Sequence, residues 1–324
     1  MNDVICYGSC TLDVFVDTDA EFITIKTPGK EEELVAYPLG SKILVKHLSF
    51  ELGGSGANAA VSFARLGLST AFMGMIGKDE TGEHISKKLN GEGVAFVGST
   101  QGISGYSVVL DSQAEDRTIL VYKGCNDHFS SQFLPKKIDT KWVYCSTMLG
   151  ESWESMKVLV KRAHDQEVKV ALSASAYLAN MGIKELSKIL SYCDVLVLNN
   201  EEARLIAGEH PVEQLLLRLR DAGPHTVAIT DGVHGAHVLH EGLVYHALPV
   251  NVKVVETTGA GDAFASTLVA GIAMKLPFKK AVKMAFCNAE SVITHKGAQN
   301  ILLSRDEALK RVNEDKRAVH TKPL

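Results

Sequence analysis

Apolar residues along the chain fall into short runs rich in β-branched side chains, separated by longer stretches where they recur every three or four positions. The first habit marks strands buried on both faces, the second helices with one face turned to a core. On this reading "DVICYG" is a first strand, "SGANAAVSFARLG" a helix ending at Gly67, and "TAFMGMIG" a strand. "DETGEHISKKLNGEG" is a second helix, with Gly91 and Gly93 as stop signals. Beyond the middle of the chain the alternation becomes regular. Strands are expected at "WVYCS", "VKVALS", "DVLVLN" and "HTVAIT", with helices starting near Ser152, Gly182, Glu201 and Val212, and two long ones near Ala260 and Pro277. Such alternation predicts a doubly wound, mostly parallel sheet with helices on both faces.

Two regions break the rhythm. Residues 14–50 and 103–123 alternate polar and apolar like strands, with no helix between them, which predicts antiparallel pairing into a small separate sheet. In an open α/β sheet, ligands bind beyond the carboxyl ends of the strands, so a β flap placed there would act as a lid. No internal repeat or low-complexity linker interrupts the pattern, and the 324 residues are expected to form a single α/β domain carrying that lid.

Composition narrows the function. A formal net charge of −4 and the absence of a long basic run argue against a nucleic-acid partner. No apolar stretch reaches the roughly 18 residues a membrane span needs. The six Cys are scattered, with no C-x-x-C pair, which favours free thiols in a reducing compartment over disulfides or a zinc site. With no basic, apolar leader in "MNDVICYGSC", the cytoplasm is the expected location.

The chemistry concentrates in a few glycine-rich stretches. "VVETTGAGDAFAST", Val254 to Thr267, sets Gly259 and Gly261 before a helix whose first turn holds Asp262. Free N–H groups and the positive end of the helix dipole would make an anion cradle beside a carboxylate. Alternatively, Asp262 is an ordinary first-turn acid. "ELGGSGANAA", Glu51 to Ala60, has two readings. G-S-G-A-N-A fits the dinucleotide pattern G-x-G-x-x-A, which would point to a nicotinamide-dependent oxidoreductase, although the stretch does not follow the first strand. Otherwise Gly53 and Gly54 let a polyhydroxy ligand approach the backbone, with Asn58 offering both a donor and an acceptor. There is no Walker A loop, so a triphosphate would have to rest on the Gly259–Gly261 cradle. In "LNNEEARLIAG", Asn199 and Glu202 form either a helix cap or a magnesium site in which Glu202 acts through water. "AITDGVHG" is either a plain hairpin turn or a Gly-lined nucleotide bed at Thr230, Gly232 and Gly235. His234, His237, His240 and His246 follow, but His237 and His240 fall on opposite strand faces, which argues against a metal site.

Taken together, "GGSGANAAVSFARLG", "NNEEA", "TDGVHG" and "ETTGAGDAF", in that order, resemble the ribokinase-like (phosphofructokinase-B type) carbohydrate kinases from Asp13 to about Arg305. The resemblance implies a three-layer α/β fold with a β lid and transfer of the γ-phosphate of ATP to an alcohol. It implies Asp262 as the base and the N–H groups of Gly259, Ala260 and Gly261 as the anion hole. Asp13, Gly53, Gly54 and Asn58 match sugar-binding positions, and Asn199 and Glu202 the magnesium and phosphate motif. Thr230, Gly232, Gly235 and Asn288 match nucleotide contacts. A potassium site is implied at Glu256 and Thr258 with the stretch around Val292, His295 and Gly297, mostly through backbone carbonyls. Glu256 stands where the closest ribokinases have Asp, Ser55 where Lys is frequent, and Asp231 where a small or apolar residue is usual. Residues 89–116, expected to wall the sugar site, contain no Lys or Arg, which favours an unphosphorylated pentose or hexose. A nucleoside is the alternative acceptor. Free edges on the lid are expected to support a homodimer.

Overall fold

The computed structural model describes residues 1–18, 21–27, 30–111 and 117–324, with the side chains of 21–27, 30–36, 111 and 117 left aside. Its centre is a ten-stranded sheet. Six neighbouring pairs are parallel: Asn2–Tyr7 pairs with Thr70–Met73 on one side and Thr140–Ser146 on the other. Thr70–Met73 continues to the short Ala95–Phe96, and Thr140–Ser146 to Lys169–Ser173, Val195–Asn199 and Thr226–Thr230. Ala236–His240, Leu243–Ala247 and His320–Pro323 add an antiparallel edge.

Strand residues alternate between two cores, as the period of two requires. Val4, Cys6, Trp142 and Tyr144 pack with helices Ser55–Arg65, Ala260–Ala273, Phe278–Val292 and Arg305–Glu314 on one face. Ile5, Tyr7, Val143 and Cys145 pack with Gly150–Asp165, Gly182–Leu190, Asn200–Ala207 and Val212–Asp221 on the other. Hence the three layers. The expected strand at residues 70–77 is broken at Gly74, where a side chain would meet the carbonyl of Gly8 at 2.6 Å and the Phe72 ring at 2.7 Å. The chain instead turns to the two-residue strand Met75–Ile76.

The second sheet has four strands in the order Arg117–Tyr122, Gly105–Asp111, Thr11–Thr18, Val45–Gly53. Its outer pairs are antiparallel, as expected, but its central pair, Thr11–Thr18 with Gly105–Asp111, is parallel. The two insertions leave the body side by side in the same direction, so their first strands run together. The small sheet also begins earlier than expected, at Thr11. Asp13, just before the expected start of the insertion, therefore stands inside a lid strand. Glu21–Thr27 and Lys30–Ala36 form a separate antiparallel ribbon.

Candidate active site

Parallel strands bring their carboxyl ends to one edge of the main sheet, and the polar residues there meet the start of helix Ala260–Ala273. The result is a cleft of ≈ 130 Å³ where Thr147, Ser173, Asn199 and Thr230 face Ser55, Gly261 and Asp262, with Glu202 beside them.

Gly259 caps the helix with φ of 81°, in the left-handed region, and a side chain there would meet the Cβ of Ala298 at 2.4 Å. Only glycine suits that turn. The N–H of Ala260 donates to the carbonyl of Thr257 at 3.2 Å, whereas those of Gly259 and Gly261 have no backbone acceptor among the described residues. The expected three-donor anion hole thus has Ala260 engaged in its own turn, with Gly259 and Gly261 left to serve.

Asp262 accepts a hydrogen bond from the Nδ2 of Asn58 at 2.9 Å. Burial pushes its carboxyl above the ordinary value, the Asn58 amide and Ser55 hydroxyl pull it down, and the charge of Asp13 adds to the rise. Asp13 is buried and accepts from the Thr11 hydroxyl at 2.8 Å. Burial raises its carboxyl as well, with Glu256 contributing. Glu202 is pushed up to about 7, first by burial and also by the charges of Glu201 and Asp262. Each of these carboxyls is raised by burial and by a neighbouring acid, an electrostatic setting that favours a cation.

The glycines of "ELGGSGAN" have their own structural reasons. A side chain on Gly53 would fall 1.9 Å from an oxygen of Asp13, and one on Gly54 would strike the backbone of Ser9 and Cys10 at 2.7 Å. The space they save is filled by the chain itself and lets the lid strand pass close to the first helix.

Asn199 and Glu202 cap helix Asn200–Ala207 reciprocally: the Asn199 N–H donates to Glu202 Oε2 at 2.7 Å, and the Glu202 N–H to Asn199 Oδ1 at 2.8 Å. The cap does not remove Glu202 from the cleft, whose wall it shares with Asp262. The Glu202 carboxylate suits a hard cation that keeps part of its water shell, such as magnesium. Among the expected nucleotide contacts, only Asn199 and Thr230 line the cleft. Gly232 is exposed in the turn after strand Thr226–Thr230, whereas Gly235 is buried, with a side chain excluded by the carbonyl of Ala247 at 2.0 Å. Asn288 does not reach the cleft. It is fully buried, donating to Thr267 Oγ1 at 2.7 Å and accepting from the Leu303 N–H at 2.9 Å, so it ties helix Phe278–Val292 to its neighbours. The histidines pack on rings: His237 stacks on His246 and His240 on Phe278.

At the expected potassium loop, Glu256 is buried and its Oε2 accepts from the Gly297 N–H at 3.0 Å. The hydroxyl of Thr258 is buried without a hydrogen-bond partner among the described residues, an oxygen that suits a monovalent cation. Val292 is buried, and His295 is exposed, bonded to Thr294 at 3.0 Å.

Sequence reasoning missed Ser55, Thr147 and Ser173 as cleft residues. For Thr147 and Ser173 the signal was positional, a hydroxyl at or just past the carboxyl end of a main-sheet strand, where such sheets bind ligands, whereas Ser55 opens helix Ser55–Arg65.

The model of the pfkB family of carbohydrate kinases matches residues 1–305. A ribokinase from Haemophilus influenzae is 27% identical over 281 residues, covering 83% of this chain and 90% of that protein. An Escherichia coli fructokinase is 28% identical over 280 residues, covering 79% and 90%. The solved structure of an Arabidopsis thaliana ribokinase complexed with ribose and ATP superposes with a TM-score of 0.77 at 22% identity, covering 96% of this chain and 98% of that one.

Proposed function

The chain belongs to the pfkB family of carbohydrate kinases, ATP-dependent phosphotransferases, and from that premise we propose that it phosphorylates a hydroxyl of a small unphosphorylated pentose or hexose, with Asp262 as base. The observation that carries this reading is the Asp262 carboxylate, raised by burial, held by Asn58 and set in the first turn of a helix beside the Gly261 N–H, which has no backbone acceptor among the described residues. In this reading Asp262 takes the proton as the acceptor oxygen bonds to the γ-phosphorus and ADP leaves. The N–H groups of Gly259 and Gly261, at the positive end of the helix dipole, neutralise charge on the transferred group. Asp13, steadied by Thr11, accepts hydrogen bonds from acceptor hydroxyls. ATP supplies the phosphoryl group, and magnesium, when bound, neutralises its charge. Glu202 would hold that ion through water, and Asn199 and Thr230, which line the cleft, would contact the nucleotide. Glu256, Thr258 and the turn at Gly297 would hold potassium; the Glu256–Gly297 hydrogen bond and the buried Thr258 hydroxyl support this reading. The four-stranded sheet, which carries Asp13, closes over the acceptor and excludes water, the competing acceptor. It also carries the contact of a homodimer.

The test is ATP consumption with ribose, fructose, glucose, 2-keto-3-deoxygluconate, adenosine, inosine and fructose 6-phosphate. A free sugar is expected to give the highest kcat/KM. Preference for adenosine or inosine would make the acceptor a nucleoside, and preference for fructose 6-phosphate would overturn the unphosphorylated assignment.

A further inference from the structure

One hydrogen bond beyond Asn58 stands a residue that does not line the cleft. Gln299 lies in the turn after helix Phe278–Val292, is buried, and donates from Nε2 to Oδ1 of Asn58 at 2.8 Å. Asn58 in turn donates from Nδ2 to Oδ2 of Asp262 at 2.9 Å. An asparagine amide has one accepting end and one donating end, and an ionised carboxylate only accepts. The donating end of Asn58 faces Asp262 while its accepting end is met by the Gln299 donor, which opposes reversal of the amide.

The glutamine is itself anchored. Its backbone carbonyl accepts from Arg65 Nη1 at 2.7 Å, and the carbonyl of Leu302 from the same nitrogen at 3.2 Å. Arg65 is held by a two-pronged pair with Glu92, at 2.8 and 2.7 Å. The Gly297 N–H, two residues before Gln299, is bonded to Glu256. One turn thus joins the loop that precedes Gly259 to the amide that faces Asp262.

We infer that Gln299 is a positioning residue that fixes the orientation of the Asn58 amide, so that a donor and not an acceptor is aimed at the Asp262 carboxylate. This rests on Asp262 being the base. With Asn58 turned as it is, the ionised form of Asp262 is the one that receives a hydrogen bond. With the amide reversed, the Asn58 carbonyl would meet Asp262 and favour the protonated form, which cannot take a proton from the acceptor. The other groups facing Asp262 are Asp13 from the lid strand, Glu202 from helix Asn200–Ala207, Tyr144 from strand Thr140–Ser146, and the neutral Ser55. Among the described residues, none of them is hydrogen-bonded to the Gln299 side chain.

The experiment follows the Asp262 carboxyl by carbon-13 NMR across pH, its signal assigned by loss in Asp262→Asn. Gln299→Met keeps the side-chain length, removes the donor and adds no charge. Gln299→Glu reverses the donor to an acceptor. Both are expected to raise the Asp262 titration, Gln299→Glu by about one pH unit or more, a roughly tenfold change in proton affinity. The acid limb of kcat/KM should move with it. A shift in the uncharged Gln299→Met separates amide orientation from simple repulsion by a new carboxylate. Unshifted titration in Gln299→Met overturns the inference, as does a fall in kcat that is uniform across pH. Should either variant fail to fold, the wild type decides: the Gln299 side-chain amide is expected to be protected from hydrogen exchange, and exchange at the solvent rate overturns the assignment. Full turnover in Asp262→Asn would instead remove the base itself and leave the Gln299–Asn58 geometry a structural tie.

Discussion

Asp262 carries the largest single prediction. Asp262→Asn keeps the shape of the side chain and can still meet Asn58, so folding and ATP binding are expected to persist. Turnover should fall by roughly two to four orders of magnitude, the range for losing a general base. A kcat within a few-fold of wild type would take Asp262 out of that role. Glu202 gives a pH prediction of a different kind. Its carboxyl is pushed from an ordinary 4.5 up to about 7, so the folded protein binds this proton more tightly than the unfolded chain. That contribution is complete below the unfolded value and is lost as pH rises through about 7. Without magnesium, the wild-type Tm should therefore fall relative to that of Glu202→Gln between pH 5 and pH 8, and added magnesium should narrow the gap. Parallel Tm curves for the two proteins across that range would contradict the placement of Glu202. Both acids were legible in the sequence because each follows a strand or a glycine loop and opens a helix. The roles of Asn288 and Gln299 were not. An amide's function depends on which partners reach its two ends, and those partners lie far along the chain: Thr267 and Leu303 for one, Asn58 for the other.

At the scale of elements, the helix Ala260–Ala273 and the loop before it separate two uses of glycine. Gly259 has positive φ and no room for a side chain, whereas an added Cβ on Gly261 meets nothing within 4 Å. Gly259→Ala should destabilise the fold, at least by the ~1–2 kcal/mol of a left-handed residue. Gly261→Ala should leave Tm unchanged or higher, since alanine favours a helix. It nevertheless places a methyl group in the cleft, and turnover should drop by up to about a hundredfold, as small misplacements at a reacting centre do. Wild-type activity in Gly261→Ala would mean that nothing approaches that backbone. The same loop carries the cation prediction. Glu256 bridges to Gly297, and the Thr258 hydroxyl two residues on is buried, so a potassium ion held there would stiffen the turn that holds Gly259. Rates in Tris buffer should be higher with potassium chloride than with sodium chloride at equal ionic strength and saturating magnesium. Equal rates would leave the Glu256–Gly297 hydrogen bond as the loop's own fastening. Helices and parallel strands were readable because their periods differ. The parallel central pair of the lid was not, because alternation marks a strand without saying which neighbour it joins or in which sense.

Across the whole molecule, the lid sheet poses a question that its pairing answers. Registered across its strands, Val14 stands beside Phe50 and Val108, Val108 beside Leu120, and Val16 beside Leu48 and Leu110. Those side chains therefore share one face. The opposite face carries Asp13, Phe15 and Val109, all buried, and so looks toward the body. The outward face is nearly all apolar and lies open, with Leu48 at 55%, Phe50 at 51%, Leu120 at 55% and Tyr122 at 53% exposure. Soluble proteins seldom leave a contiguous patch of that kind in water unless a partner covers it. Composition could not reveal this, since the same residues on alternating faces would have been unremarkable. The sequence-level expectation of pairing through free lid edges thus gains a second route, face against face, with a second copy of the chain as the occupant. A self-complementary face closes under two-fold symmetry without leaving a further patch to propagate. The variant Leu48→Lys/Phe50→Lys/Leu120→Lys places three charges on that face and touches none of the cleft residues. Sedimentation at micromolar concentration should show a dimer for the wild type and a monomer for the variant. Because the strand holding Asp13 is the lid's centre, the monomer should also show a raised KM for the acceptor, with the KM for ATP changed little. A wild type that sediments as a monomer, or a variant that remains dimeric, would mean that something other than a second copy covers the lid.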